Sequence, residues 1–158
     1  ARAYLYLMEN DFATGETIMR GVGELLSPPI DLPALPALLV NPGVAVVTRD
    51  VFGKLAGMHN QSGLADVPRK AGALIEYLKQ HDNDLTEPAS VCAPAIADVL
   101  AALRGLPGVR VVRMSGSGAT CFALFGSRDE AAKAAQWLKG ERKNWWICDT
   151  TIGSVAKS

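Results

Sequence analysis

The chain has no excess of either charge: Lys and Arg number 16, and Asp and Glu also 16. That balance excludes a general electrostatic pull toward nucleic acid or an anionic lipid surface. Aromatics are sparse, at 6%. No apolar run reaches the length of a membrane span. Cysteines are few, Cys92, Cys121 and Cys148, odd in count and widely spaced in apolar segments. They read as buried free thiols of a reducing compartment, which points to the cytoplasm. His59 and His81 lack ligand-spaced neighbours, so no zinc site is expected. The opening ARAYLYLMEN lacks the basic, apolar, small order of a signal peptide. It does not begin with Met, and the chain reads as an excerpt of a longer one.

What is present is globular. The 158 residues are 49% hydrophobic and 20% charged, enough for one domain with a core. The most informative stretch is Val109 to Phe125, VRVVRMSGSGATCFALF. Two apolar runs rich in β-formers flank Ser115-Gly116-Ser117-Gly118, which reads as strand, small-residue loop, strand. Glycine permits positive φ and close approach to the main chain. Successive N–H groups in such a turn can converge on an anion. The same four residues also suit a plain hairpin turn, and spacing alone does not choose between the two. A Walker A loop is excluded, because Ala119-Thr120 stands where Lys and Ser or Thr are needed. A dinucleotide fingerprint is excluded by Cys121 and by the strand that follows.

Along the chain, Ala3 to Met8 and Thr17 to Leu26 read as strands, the second softened by Gly21 and Gly23. Pro28, Pro29, Pro33 and Pro36 make residues 27–36 an extended linker. Ala37 to Asn41 is a short strand, ended by Asn41-Pro42-Gly43. Thr48 is expected to cap a helical turn starting at Arg49, either as an ordinary cap or as an anion-facing N-terminus. Residues 53–63 read as loop. Asp66 is expected to cap a helix with Pro68 in its first turn, and Ala71, Leu74, Ile75 and Leu78 form its buried stripe. A further helical region opens at Asn83-Asp84-Leu85. Pro94 should break it, and Ile96, Val99, Leu100 and Leu103 form the stripe beyond, closed by Gly105. Asp84 and Glu87 are explained by caps and first-turn charge rather than by acid–base work. Ser127 with Glu130 fits a capping box ahead of Ala131, Ala134, Ala135 and Leu138. The last strand is Trp145 to Ile152, with Trp145 and Trp146 on opposite faces. The order predicts an α+β fold: a ferredoxin-like split βαβ antiparallel sheet with helices on one face, plus a short N-terminal β extension.

The string Met114 to Ala123, MSGSGATCFA, resembles the C-terminal signature of the GHMP small-molecule kinases, named for galactokinase, homoserine kinase, mevalonate kinase and phosphomevalonate kinase. Gly21-Val22-Gly23-Glu24 before the Pro-rich run, Val40-Asn41-Pro42-Gly43 with Thr48 and Phe52, and Asn83-Asp84-Leu85 complete the frame. Together they resemble the branch that acts on a cytidine diphosphate ester in non-mevalonate isoprenoid precursor synthesis. The resemblance covers about Met19 to Ile152. It implies residues 1–36 as the remnant of a preceding N-terminal kinase domain, and 37–158 as the C-terminal domain. It implies ATP with Mg2+ as phosphoryl donor and an alcohol as acceptor. Phe52 would stack on the cytosine ring and Thr48 would line the substrate pocket. Ser115, Gly116, Ser117, Gly118 and Ala119 would flank the phosphates. Asn83 and Asp84 carry over only as fold elements. The Gly/Ser-rich ATP loop, the Asp base and its Lys do not occur in this sequence, and no catalytic residue is assigned here. The chain alone is therefore expected to be inactive. A free-standing ferredoxin-like binding module, self-associating through its open sheet face, is the other reading.

Overall fold

A computed structural model describes residues 32–54 and 67–153 in full, and the backbone of 4–6, 17–20 and 25–26. The last three segments are strands β1 (Tyr4–Tyr6), β2 (Thr17–Arg20) and β3 (Leu25–Leu26). They pair antiparallel in the order β1-β2-β3. The single strand expected over Thr17 to Leu26 is thus two strands. Asp66 and most of the expected 53–63 loop lie outside the described residues.

The main sheet holds β4 (Leu35–Asn41), β5 (Val109–Met114), β6 (Cys121–Phe125) and β7 (Trp146–Ile152). Its order is β5-β6-β4-β7, with every pairing antiparallel. The first strand of this sheet therefore lies inside it, between the third and the fourth. That is the split βαβ topology expected from the element order. β4 starts at Leu35, so Pro36 belongs to the strand and not to the linker. The ring is tolerated because pairing with β6 begins only at Ala37; at Pro36 the sole neighbour is Thr151 of β7.

The connecting helices are α1 (Thr48–Gly53), α2 (Ala71–Lys79), α3 (Thr86–Cys92) and α4 (Ala95–Arg104), followed after β6 by α5 (Arg128–Glu141). Pro94 separates α3 from α4, as its missing N–H requires. Strand alternation sorts the core into two layers. Leu38 and Val40 of β4, and Cys121, Ala123 and Phe125 of β6, face Ile96, Val99 and Leu103 of α4 and the alanine stripe of α5. Leu35 and Ala37, with Phe122 and Leu124, face the other way and meet Leu74 of α2. Helices are thus not confined to one face. α2 crosses to the second face because Leu74, Ile75 and Leu78 find an apolar bed there, formed by Val111, Phe122 and Leu124. Leu74, fully buried, contributes about 1.5–3 kcal/mol, and the half-buried Ile75 and Leu78 less. Arg113 fixes the end of α2 by donating to the carbonyls of Leu78 (2.8 Å) and His81 (3.1 Å). α2 begins at Ala71 with Lys70 as cap, so Pro68 precedes the helix instead of starting it. Trp145, just ahead of β7, packs on the larger cluster, and Trp146 stands 49% exposed.

Candidate functional site

Residues 115–120 join β5 to β6 at the sheet end where Met114 pairs with Cys121. Two bonds close the turn: Ser115 N–H to the Thr120 carbonyl at 2.9 Å, and Gly118 N–H to the Ser115 carbonyl at 3.0 Å. Gly116 and Gly118 have φ of 53° and 91°, which side-chain-bearing residues rarely adopt. A Cβ on Gly118 would stand 3.0 Å from both Ile96 Cδ1 and Met114 Sδ. Among the described residues, no hydrogen bond takes the amide hydrogens of Gly116, Ser117 or Ala119. The segment is thus a closed hairpin turn in which three main-chain donors have no partner among the described residues. The hairpin-turn reading of the sequence is found.

Three neutral side chains hold this turn. Thr48 Oγ1 lies 2.8 Å from Ser117 Oγ, bridging α1 to the loop. Thr48 was expected to cap α1, but Val47 occupies the cap and Thr48 is the first helical residue. As a helical residue Thr48 makes no side-chain cap bond, and its hydroxyl is used on Ser117 instead. Val51, fully buried, anchors the helix. Phe52 lies four residues after Thr48, one helical turn on, and is 37% exposed. Thr48 and the loop are therefore brought together, with Phe52 on the helix that Thr48 begins.

The other two holders, Asn41 and Asn83, read from the sequence as a turn residue and a fold element, without their bonds to the loop. Asn41 Nδ2 donates to Thr120 Oγ1 at 2.9 Å, and its Oδ1 accepts from Gly43 N–H at 2.8 Å. Asn83 Nδ2 donates to the carbonyls of Met114 (2.9 Å) and Gly116 (2.8 Å), and its Oδ1 accepts from Leu85 N–H at 3.0 Å. The Asn-x-Leu turn was the available local signal. Its loop partners are 31 and 33 residues away and leave no local trace.

Asp84 and Glu87 lie beside this site on an open groove of about 750 Å3, also lined by Lys54, Arg104 and Arg113. Glu87 is first-turn charge on α3, as expected. Asp84 is not a cap: Leu85 holds that position with no side-chain bond. Cys121, wholly buried behind the loop, has its thiol pushed up to about 12 by desolvation, against a smaller lowering by Arg104. Among the described residues no group of three or more His, Cys, Asp or Glu side chains gathers for a metal, and no helix is long and apolar enough to cross a membrane.

A four-stranded split βαβ sheet with a Ser-Gly turn at its open end matches a known family. Residues 52–141 fit the C-terminal domain of the GHMP kinases, and the chain belongs to that family. Its relatives within that family include 4-diphosphocytidyl-2-C-methyl-D-erythritol kinases. The chain is 47% identical over 142 residues to the 4-diphosphocytidyl-2-C-methyl-D-erythritol kinase of Rhodopseudomonas palustris, covering 82% of this chain and 48% of that protein. It is 49% identical over 132 residues to the enzyme of the same name from Paracoccus denitrificans, again covering 82% and 48%. The crystal structure of a 4-(cytidine 5'-diphospho)-2C-methyl-D-erythritol kinase superposes with a TM-score of 0.67 at 32% identity, over 89% of this chain and 51% of that one. The chain spans about half the length of the curated relatives it matches.

Proposed function

We propose that this chain is the C-terminal lobe of an ATP-dependent kinase that phosphorylates the 2-hydroxyl of 4-diphosphocytidyl-2-C-methyl-D-erythritol, in the cytoplasm. The residues ahead of Leu32 belong, in this reading, to the end of the preceding lobe, which supplies the ATP loop and the base; the boundary falls earlier than residue 36 because Leu35 and Pro36 already pair within the main sheet. The observation that carries it is the Ser-Gly turn with three unused amide donors, bridged through Ser117 to Thr48. Fixed main-chain dipoles can stabilise charge on a transferring phosphoryl group without reorganising. Thr48 would line the pocket for the methylerythritol diphosphate, and Phe52 would offer its ring to the cytosine. ATP would bring Mg2+ on its phosphates. The described residues fit the phosphates, through amide and hydroxyl donors, better than the metal, for which they gather no group of three or more His, Cys, Asp or Glu side chains. The chain by itself should neither bind ATP tightly nor turn over.

The exposed apolar side chains Val44, Val47, Phe52 and Trp146 support a lobe docked at this end. β4 leaves the sheet there, and Trp146 pairs with Asn41. The test is a phosphoryl-transfer assay on the intact protein with the cytidine diphosphate ester and ATP, beside Phe52→Ala. The reading requires turnover by the wild type and a KM for the ester raised roughly tenfold or more in the variant, with unchanged melting. No turnover with this ester, or an indifferent KM, rejects it.

A further inference from the structure

We infer that Asn83 is a positioning residue that sets which way the Ser-Gly turn presents its amides, an inference that rests on the kinase reading above. Asn83 is half-buried, ahead of α3. Its side-chain amide meets three main-chain groups: the carbonyls of Met114 and Gly116, and the N–H of Leu85. Carbonyls only accept and a backbone N–H only donates, so one orientation of the amide satisfies all three. Asp has no donor to offer when ionised, Lys has no acceptor, and Gln adds a methylene.

The consequence follows from peptide planarity. In a trans peptide the N–H points opposite to the C=O. Drawing the Met114 carbonyl toward Asn83 turns Ser115 N–H away, and that hydrogen is found on the Thr120 carbonyl at 2.9 Å. Drawing the Gly116 carbonyl toward Asn83 turns Ser117 N–H away by the same rule, and no hydrogen bond among the described residues consumes it. Asn83 thus aims the Ser117 amide at the side of the turn away from its own side chain. Thr48 holds the hydroxyl of the same serine at 2.8 Å. A phosphate oxygen on that side meets an amide already oriented, and the residue that orients it touches no ligand.

The test uses the intact protein labelled with 15N-serine and inorganic pyrophosphate as probe, together with steady-state turnover. In the wild type, pyrophosphate should move the Ser117 amide resonance and leave that of Ser115, already bonded, nearly still. Asn83→Asp keeps the acceptor for Leu85 and loses both donors. Pyrophosphate affinity should fall roughly tenfold or more at pH 8. kcat should fall roughly 10- to 100-fold, with the KM for the cytidine ester within about twofold. Part of the loss should return toward pH 5, where a protonated carboxyl can donate again. A purely structural role predicts no such return and an equal loss in both kinetic constants. A Ser117 amide that pyrophosphate leaves still in the wild type overturns the inference without any variant, as does Asn83→Asp with wild-type kcat. If the cytidine ester is not turned over but the pyrophosphate effects hold, the kinase reading falls and the role of Asn83 stands.

Discussion

Thr48 Oγ1 and Ser117 Oγ meet at 2.8 Å across 69 residues of sequence, joining the first residue of α1 to the tip of the Ser-Gly turn. The pair is exposed, so each hydroxyl should contribute under about 1 kcal/mol to stability. Its larger role is to keep α1, and with it Phe52, in register with the turn. Thr48→Val and Ser117→Ala should each melt within a few degrees of wild type. In the intact protein, under the kinase activity proposed above, each should lower kcat/KM by roughly tenfold, and the double variant should lose little more than either single one. A four-protein cycle of melts and kinetics checks this. Fully additive losses would mean that the two hydroxyls act separately.

The turn depends on glycine at one position more than the other. Gly118 combines φ of 91° with two 3.0 Å approaches, to Ile96 and Met114. Gly118→Ala should cost about 2–4 kcal/mol, the sum of backbone strain and overpacking. Gly116, at φ 53°, sits in the region an L-residue tolerates better, and Gly116→Ala should cost only about 1 kcal/mol. Denaturant melts of the two variants should rank them in that order, and the reverse order would contradict the packing described for Ile96.

Features set by neighbours in sequence were legible, and those set by distant partners were not. The Ser127–Glu130 box, the break at Pro94 and the stripe Ile96, Val99, Leu100, Leu103 all depend on residues within two turns, and each is found. The two-strand frame around Ser115 to Gly118 follows equally from local alternation. Thr48 was misplaced by one residue because Val47 also adopts an extended conformation, and composition cannot see that. Pro36 was assigned to a linker because only the stagger of β6 against β4 makes a proline tolerable there. α2 was expected with the other helices because its apolar stripe says that it is buried, not against which face. Asn83 was readable as a turn former, and its second use needed the fold.

The capping box offers a control for all of these variants. Glu130 Oε2 accepts from Gly126 N–H (2.9 Å) and Ser127 N–H (3.1 Å), and Ser127 Oγ accepts from Glu130 N–H (3.2 Å). Ser127→Ala should cost about 1 kcal/mol. Glu130→Ala strands two donors and should cost as much or slightly more. This end of the sheet, where Val109 pairs with Phe125, is opposite to the end carrying the Ser-Gly turn. Both variants should therefore melt lower and keep wild-type kcat and KM at low temperature. A kinetic defect without a thermal one would show coupling along β6 that the packing gives no reason to expect.

Burial of Cys121 makes stability fall in alkali. Its thiol, usually near 9, is pushed up to about 12 in the fold, mainly by desolvation, with Arg104 acting the other way. Below pH 9 both folded and unfolded chains keep the proton, and the group contributes no pH dependence. Between pH 9 and 12 the unfolded chain ionises and the folded one does not, so unfolding releases a proton. Stability should then drop by about 1.4 kcal/mol per pH unit from this group. Cys121→Ala is less stable at pH 7 through lost packing, yet its stability should decline more shallowly over that window, so the two curves converge as the pH rises. Cys92 and Cys148 are partly exposed and common to both proteins, so they cancel in the comparison. Urea melts at half-unit steps from pH 8 to 11 measure the difference. Parallel curves would show that water reaches the Cys121 sulfur, and with it the floor of the Ser-Gly turn.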